Sequence, residues 1–197
     1  MAKIDERKLT PMLKHWNSVR KRYPLEYIIA YRMGDFYEFF FDDAKKISQL
    51  LGITLTKRGD VPLAGLPHHS AKNYFNNLMN LGQTLVIVDQ LEDPKTVKGR
   101  IVKRGVTRIL SPGTVTEPTL LSANKNNYIA SIVKQRKGFG VAFADISTGE
   151  FVSTEFSSKL EDPQEKLLSI ISQYDPVELI IPPELKKMRD FSLSKQI

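Results

Sequence analysis

The sequence predicts a two-domain α/β protein. A mixed-sheet α/β domain is expected over residues 1–118, a linker at 119–127 and a partial α/β domain over 128–197. Three observations carry this expectation. Up to residue 110, β-branched and aromatic runs of strand length alternate with amphipathic stretches bounded by caps. After residue 127 the order changes to three successive strand patterns joined by tight turns. The charge divides at the same place: residues 1–120 hold 19 Lys/Arg against 12 Asp/Glu, whereas residues 121–197 hold 10 of each. The whole surplus of +7 therefore lies in the first part, which makes that part the candidate for a polyanion surface.

Taken in order, Thr10-Pro11 reads as an N-cap and first helical residue, opening a helix to about Tyr23 that Pro24 stops. "LEYIIAYRM" (25–33) is a strand, Gly34-Asp35 the centre of a hairpin turn and "FYEFF" the return strand. Asp42 is expected to cap a helix through "DAKKISQLL", with Gly52 at its end. "ITLTKRG" reads as a short strand with a basic end, and "VPLAGLPHHS" (61–70) as a Pro/Gly loop. Ser70 is expected to cap a helix to Leu81, and "QTLVIVDQL" reads as a buried strand. A basic segment, 95–110, precedes the turn-rich "SPGTVTEP" and the polar linker. In the second domain "YIASIVKQRKGFGVAFADISTGEFVSTEF" gives three antiparallel strands, followed by the helix "DPQEKLLSIISQY" and the strand "PVELIIP". That order is the opening of an RNase H-like fold.

Composition excludes several classes. A hydrophobic content of 41% is too high for a disordered chain. The absence of cysteine removes disulfides, thiolate nucleophiles and cysteine-based zinc sites, and fits a reducing cytoplasm. The N-terminal stretch has no apolar signal region, and no run approaches the ~18 apolar residues of a membrane span. A cytoplasmic protein without membrane partners is expected.

"YRMGDFYEFFFDD" (31–43) concentrates aromatic rings around one glutamate. Along a strand Phe36 and Glu38 share a face, about 7 Å apart, while Tyr37, Phe39 and Phe41 share the other and form a core face. A two-residue turn sets Met33 opposite Phe36. The arrangement can be read as core filling with one solvated carboxylate. Alternatively, a ring at a hairpin tip can wedge between base pairs where stacking is already weakened by a mispair. Glu38 would then accept a hydrogen bond from a base N–H, or donate one when protonated.

These residues resemble a known family. "TPMLKHW", "YRMGDFYEFFFDDAKKISQLLGITLTKRG", "VPLAGLPHHSAKNYFNNLMNLGQTLVIVDQLEDP" and "RGVTRILSPGT" are similar to the amino-terminal mismatch-recognition domain of the MutS family of DNA mismatch repair proteins. "FGVAFADISTGEF" resembles the start of that family's RNase H-like connector domain. The resemblance implies binding to double-stranded DNA with mismatches or small loops. It implies Phe36 as a wedge stacked on the affected base, Glu38 as its hydrogen-bond partner, and Met33 and Asp35 beside the wedge. Lys57, Arg58 and Arg108 are implied as contacts to the DNA backbone. ATP and magnesium are expected only in the full-length protein, as are a homodimer and repair-protein partners. No G-x-x-x-x-G-K-[ST] loop occurs in these 197 residues, so neither catalytic residues nor cofactor is expected in this chain; with three histidines and no acidic cluster near His68-His69, no metal is expected either. Some positions depart from the family pattern. Only Asp60 and Val61 separate "TKRG" from "PLAG", His68-His69 stands where Tyr-His is more usual, and Asp89-Gln90 where Glu-Gln is.

Two other readings compete. Asp145, with Glu150 and Asp175, would be the carboxylates of a metal-dependent RNase H-like nuclease. Against this, an Asp leading into "ISTG" more often binds the turn backbone. The neutral second half could also serve as a protein-interaction module.

Overall fold

The computed structural model describes residues 9–92, 97, 102–116, 125–157 and 162–185. It divides into two compact units, 1–110 and 111–197. The expected linker lies outside the described residues as far as residue 124.

Unit one begins with α1 (Pro11–Arg20), where the Thr10 hydroxyl accepts from the Leu13 N–H at 3.4 Å. The helix ends three residues before the expected Tyr23, and β1 (Ile28–Met33) starts three residues late. The cause is Arg20, whose guanidinium donates to the carbonyls of Tyr23, Pro24 and Tyr27 and gathers that segment into a turn. β2 (Phe36–Phe40) follows through the Gly34-Asp35 turn, in the expected register of Met33 opposite Phe36. Gly34 takes φ +56°, the left-handed value that the first position of such a turn requires and glycine reaches without strain.

α2 (Phe41–Leu51) is not capped by Asp42. The chain enters it through Phe41 at φ +56°, and Asp42 and Asp43 occupy the first turn, where the helix dipole favours carboxylates. This entry also takes Phe41 out of the strand alternation. Its ring lies 5.1 Å from that of Trp16 rather than with Tyr37 and Phe39. Gly52 closes α2 in the left-handed conformation as expected.

β3 (Thr56–Arg58) is followed by β4 (Val61–Pro67), a strand where a loop was expected. β4 pairs with β3 on one side and β2 on the other. Pro67 ends the run paired with β2 and Pro62 lies just outside it, so neither removes an N–H from the interior of that ladder. A 3-10 turn (His68–Ser70) leads to α3 (Ala71–Asn80). Ser70 does not cap that helix; its hydroxyl donates back to the Pro67 carbonyl at 3.1 Å. β5 (Leu85–Gln90) then runs parallel to β1, and β6 (Arg104–Leu110) antiparallel to β5. The mixed sheet has the order β3-β4-β2-β1-β5-β6.

Both faces of this sheet are packed. Tyr37, Phe39, Ala64, Leu66 and Ile87 meet Ile47, Phe75 and Leu78 of α2 and α3. On the other face Ile29, Tyr31, Phe40, Val86 and Val88 meet Leu13, Trp16 and Val19 of α1.

In unit two β7 (Ile129–Gln135), β8 (Gly138–Asp145) and β9 (Glu150–Ser157) form the expected meander. After α4 (Pro163–Tyr174), β10 (Glu178–Ile180) returns parallel to β7, giving the order β10-β7-β8-β9. Asp162 caps α4 by accepting from the Gln164 N–H at 2.8 Å. The core joins Ile132, Val141, Phe143 and Leu179 to Leu167 and Ile171 of α4. Residues 111–116 belong to this unit, and the Gly113 N–H donates to Glu178 Oε2 at 2.9 Å.

Gly138 sets how closely β8 approaches β9. A Cβ there would stand 1.9 Å from the Phe156 carbonyl oxygen, whereas at Gly140 the nearest atom is 3.9 Å away. Gly138→Ala is expected to destabilise the protein by about 1–3 kcal/mol, as overpacked sites do. Gly140→Ala should leave the urea midpoint nearly unchanged, and equal midpoints for the two variants would refute the steric argument.

Candidate nucleic-acid interface

Strand alternation and sheet register together decide which side chains gather at the hairpin. Phe36 stands opposite Met33 and Pro67, and Glu38 opposite Tyr31 and Gly65. All share the face that α1 covers elsewhere. α1 packs over Phe40 and Tyr31 but leaves the turn end of that face open. Residues on one strand therefore differ sharply: Phe40 is fully buried and Phe36 is 46% exposed. The ring of Phe36 leans over Gly65, its Cδ1 3.7 Å from where a Cβ would be. A Cβ at 65 would touch the ring at ordinary contact distance.

Glu38 lies behind the ring. Its Oε1 accepts from Arg58 Nη2 at 2.7 Å, and its Oε2 is buried with no hydrogen-bond partner. The Glu38 side chain is 12% exposed and that of Arg58 45%. Behind Glu38 the Tyr31 hydroxyl is 2.8 Å from His15 Nδ1. Burial and the Arg104 charge both hold the His15 pKa below its ordinary value.

The opposite side of β2 is tied down. The Tyr37 hydroxyl donates to Asp89 Oδ1 and the Thr107 hydroxyl to Asp89 Oδ2, each at 2.6 Å. Burial first, then the bond to Asp89, pushes the Tyr37 phenol up to about 12. Asp89 thus clamps the strand that carries Phe36 and Glu38. The His68 ring lies tilted on Tyr37 at 6.3 Å, and the His68 N–H donates to the Asp35 carbonyl at 2.8 Å, bracing the turn.

The remaining candidates separate. Met33 is half-buried beside Phe36, Asp35 is exposed in the turn, and Lys57 and Arg58 are exposed on the edge strand β3. Arg108 pairs with Ile87, which puts it on the face opposite Phe36. A bulge between Ile87 and Val88 causes this, because it shifts the register between Arg108 and Arg104. Arg104, absent from the sequence-based candidates, stands level with Gln90 on the Phe36 face. Its Nε donates to the Arg32 carbonyl at 2.8 Å and its guanidinium lies 5.7 Å from the Tyr31 ring centre. The four-residue spacing of Arg104 and Arg108 gave no sign of the bulge.

In unit two, Asp145 has its carboxylate filled. Oδ1 accepts from the Ser147 N–H and hydroxyl and from the Thr148 N–H, and Oδ2 from the Asn127 N–H. Burial raises its pKa, but these bonds outweigh it and hold the group below the ordinary value. Glu150 accepts from Asn126 and Asp175 from Lys125. The nuclease reading therefore lacks free acceptors on its central carboxylate, and the turn-binding role of Asp145 is the one observed. Among the described residues no helix is long and apolar enough to cross a membrane.

Comparison with known proteins agrees with this architecture. Residues 10–119 match the MutS domain I family and residues 127–197 the MutS domain II family. The chain is 43% identical over 188 residues to a DNA mismatch repair protein MutS of Symbiobacterium thermophilum, covering 92% of this chain and 21% of that protein. A protein of the same name from Methanosarcina acetivorans is 41% identical over 194 residues, covering 90% of this chain and 21% of the relative. The chain thus spans about a fifth of the length of these curated relatives. With the two matched regions in the same order as the two units, the first ending a few residues inside the second unit, the chain belongs to the MutS family.

Proposed function

We propose that this chain binds duplex DNA and senses mispaired or unpaired bases, as the amino-terminal part of a longer mismatch repair protein. The observation that carries this reading is an exposed Phe36 at a hairpin tip, beside a recessed Glu38, in the half of the chain that holds all the net positive charge. Phe36 enters the base stack where a defect has weakened it, and Glu38 hydrogen-bonds the displaced base edge. Met33 and Asp35 shape the rim of the wedge. Lys57, Arg58 and Arg104 are offered to phosphates beside the wedge, which hold the protein on DNA without selecting a sequence, whereas Arg108, on the other face, is not offered to the same duplex. ATP and magnesium belong to the rest of the longer protein, as do the homodimer and repair-protein contacts; this chain by itself is not an enzyme. Its place is the cytoplasm.

Competition between perfect and single-mispair duplexes at fixed salt tests the reading. Tighter binding to the mispaired duplex is expected, and equal affinity would overturn it. Lys57→Gln should weaken binding to both duplexes alike and reduce the salt slope by about 1, the signature of a lost phosphate contact. A change in the ratio of the two affinities would show that Lys57 does more than hold the backbone.

A further inference from the structure

We propose that Arg58 is a positioning residue for Glu38: it neutralises that carboxylate in the DNA-free protein and leaves it for a phosphate when duplex docks. The inference rests on the DNA-binding reading above and adds an exchange of partners within the site.

The register makes the contact available. Glu38 on β2 and Arg58 on β3 lie on the same face with β4 between them, and β4 presents Gly65 opposite Glu38. No side chain at 65 intervenes, and the two groups meet at 2.7 Å. The pair is lopsided, with Glu38 12% exposed and Arg58 45%. An approaching polyanion therefore reaches the guanidinium before the carboxylate. Only one Glu38 oxygen is engaged; the other is buried without a partner. The carboxylate is thus incompletely satisfied in the free state and has an acceptor ready for a new donor.

An ion pair with one half-exposed member is weakly held. A phosphate offers the guanidinium two oxygens in a geometry it binds well, so exchange costs little. Before docking, the pair hides a negative charge that would otherwise repel the DNA backbone. After docking, Arg58 holds phosphate and Glu38 is free for a base edge. A carboxylate and a phosphate-binding arginine on one small surface then work in succession rather than against each other.

A double-mutant cycle on duplex affinity tests the exchange, using Arg58→Gln, Glu38→Gln and the double variant at fixed salt. If the pair exists in the free protein and is broken in the complex, Arg58→Gln loses a phosphate contact but is spared the breaking of the pair. In the Glu38→Gln background it loses the contact with no such relief. The loss of affinity caused by Arg58→Gln should therefore be roughly two- to fivefold greater when Glu38 is already Gln. Additive effects, or a loss smaller in that background, would overturn the exchange while leaving DNA binding intact. A wild-type chain that binds no duplex would overturn the reading beneath it and the exchange together.

Discussion

Phe36→Ala is expected to erase the preference for mispaired over perfect duplex. The ring contributes little to the fold: it is 46% exposed, while Tyr37, Phe39 and Phe40 on the same strand are buried. It stands at the turn end of β2, opposite Met33 and Pro67 and next to the bare backbone of Gly65. Stacking of a base on an aromatic ring is worth about 1–3 kcal/mol per base. Affinity for the mispaired duplex should therefore fall roughly five- to 150-fold. Perfect duplex resists insertion, since opening a sound step costs a few kcal/mol, so its affinity should change far less. Competition binding against both duplexes measures the two effects together. Phe36→Leu keeps apolar volume without a flat face and should retain little of the preference. An unchanged ratio in Phe36→Ala would mean that the exposed ring is not what reads the defect.

The parts of this site legible in the sequence were those governed by alternation and turn chemistry. Gly34 fixed the turn, the turn fixed Met33 opposite Phe36, and period two put Phe36 and Glu38 on one face. Features that depend on contacts remote in sequence were not legible. Whether Phe36 was buried depended on how far α1 extends over the sheet, and no property of residues 36–40 states that. The partner of Glu38 lies 20 residues away on an edge strand, separated from it by a segment whose prolines and glycine disguised β4 as a loop. The bulge at Ile87/Val88 reversed the standing of Arg104 and Arg108 without altering their spacing. Phe41 left the alternation because the helix begins one residue before the aspartate that looked like its cap.

The second large effect concerns Arg20, a buried charge at the end of α1. Arg20→Met is expected to destabilise the first unit by about 3–5 kcal/mol, the cost of stranding a buried charge by removing its partner. Arg20 is 2% exposed. Besides donating to the carbonyls of Tyr23, Pro24 and Tyr27, it lies 3.4 Å from Asp43 Oδ2. That oxygen also accepts from the Ile29 N–H at 3.0 Å, so one guanidinium joins the end of α1, the start of β1 and the first turn of α2. Burial pushes the Asp43 carboxyl up to about 6, against the downward pull of the Ile29 N–H and the Arg20 charge. A pKa raised on folding means that the contribution of Asp43 to stability is fullest below about pH 4 and is lost as pH rises through 6. Without Arg20 one downward pull disappears, and the carboxyl should titrate higher still. In the wild type the Asp43 contribution then levels off above pH 6, whereas in the variant it continues to fall. The gap between them should widen between pH 6 and 8, which urea unfolding followed through the fluorescence of the fully buried Trp16 can measure. Adding Asp43→Asn to Arg20→Met should remove that pH-dependent part, since no charge is left to strand. A gap independent of pH, or one unaffected by Asp43→Asn, would show that lost carbonyl contacts rather than an orphaned carboxylate account for the instability.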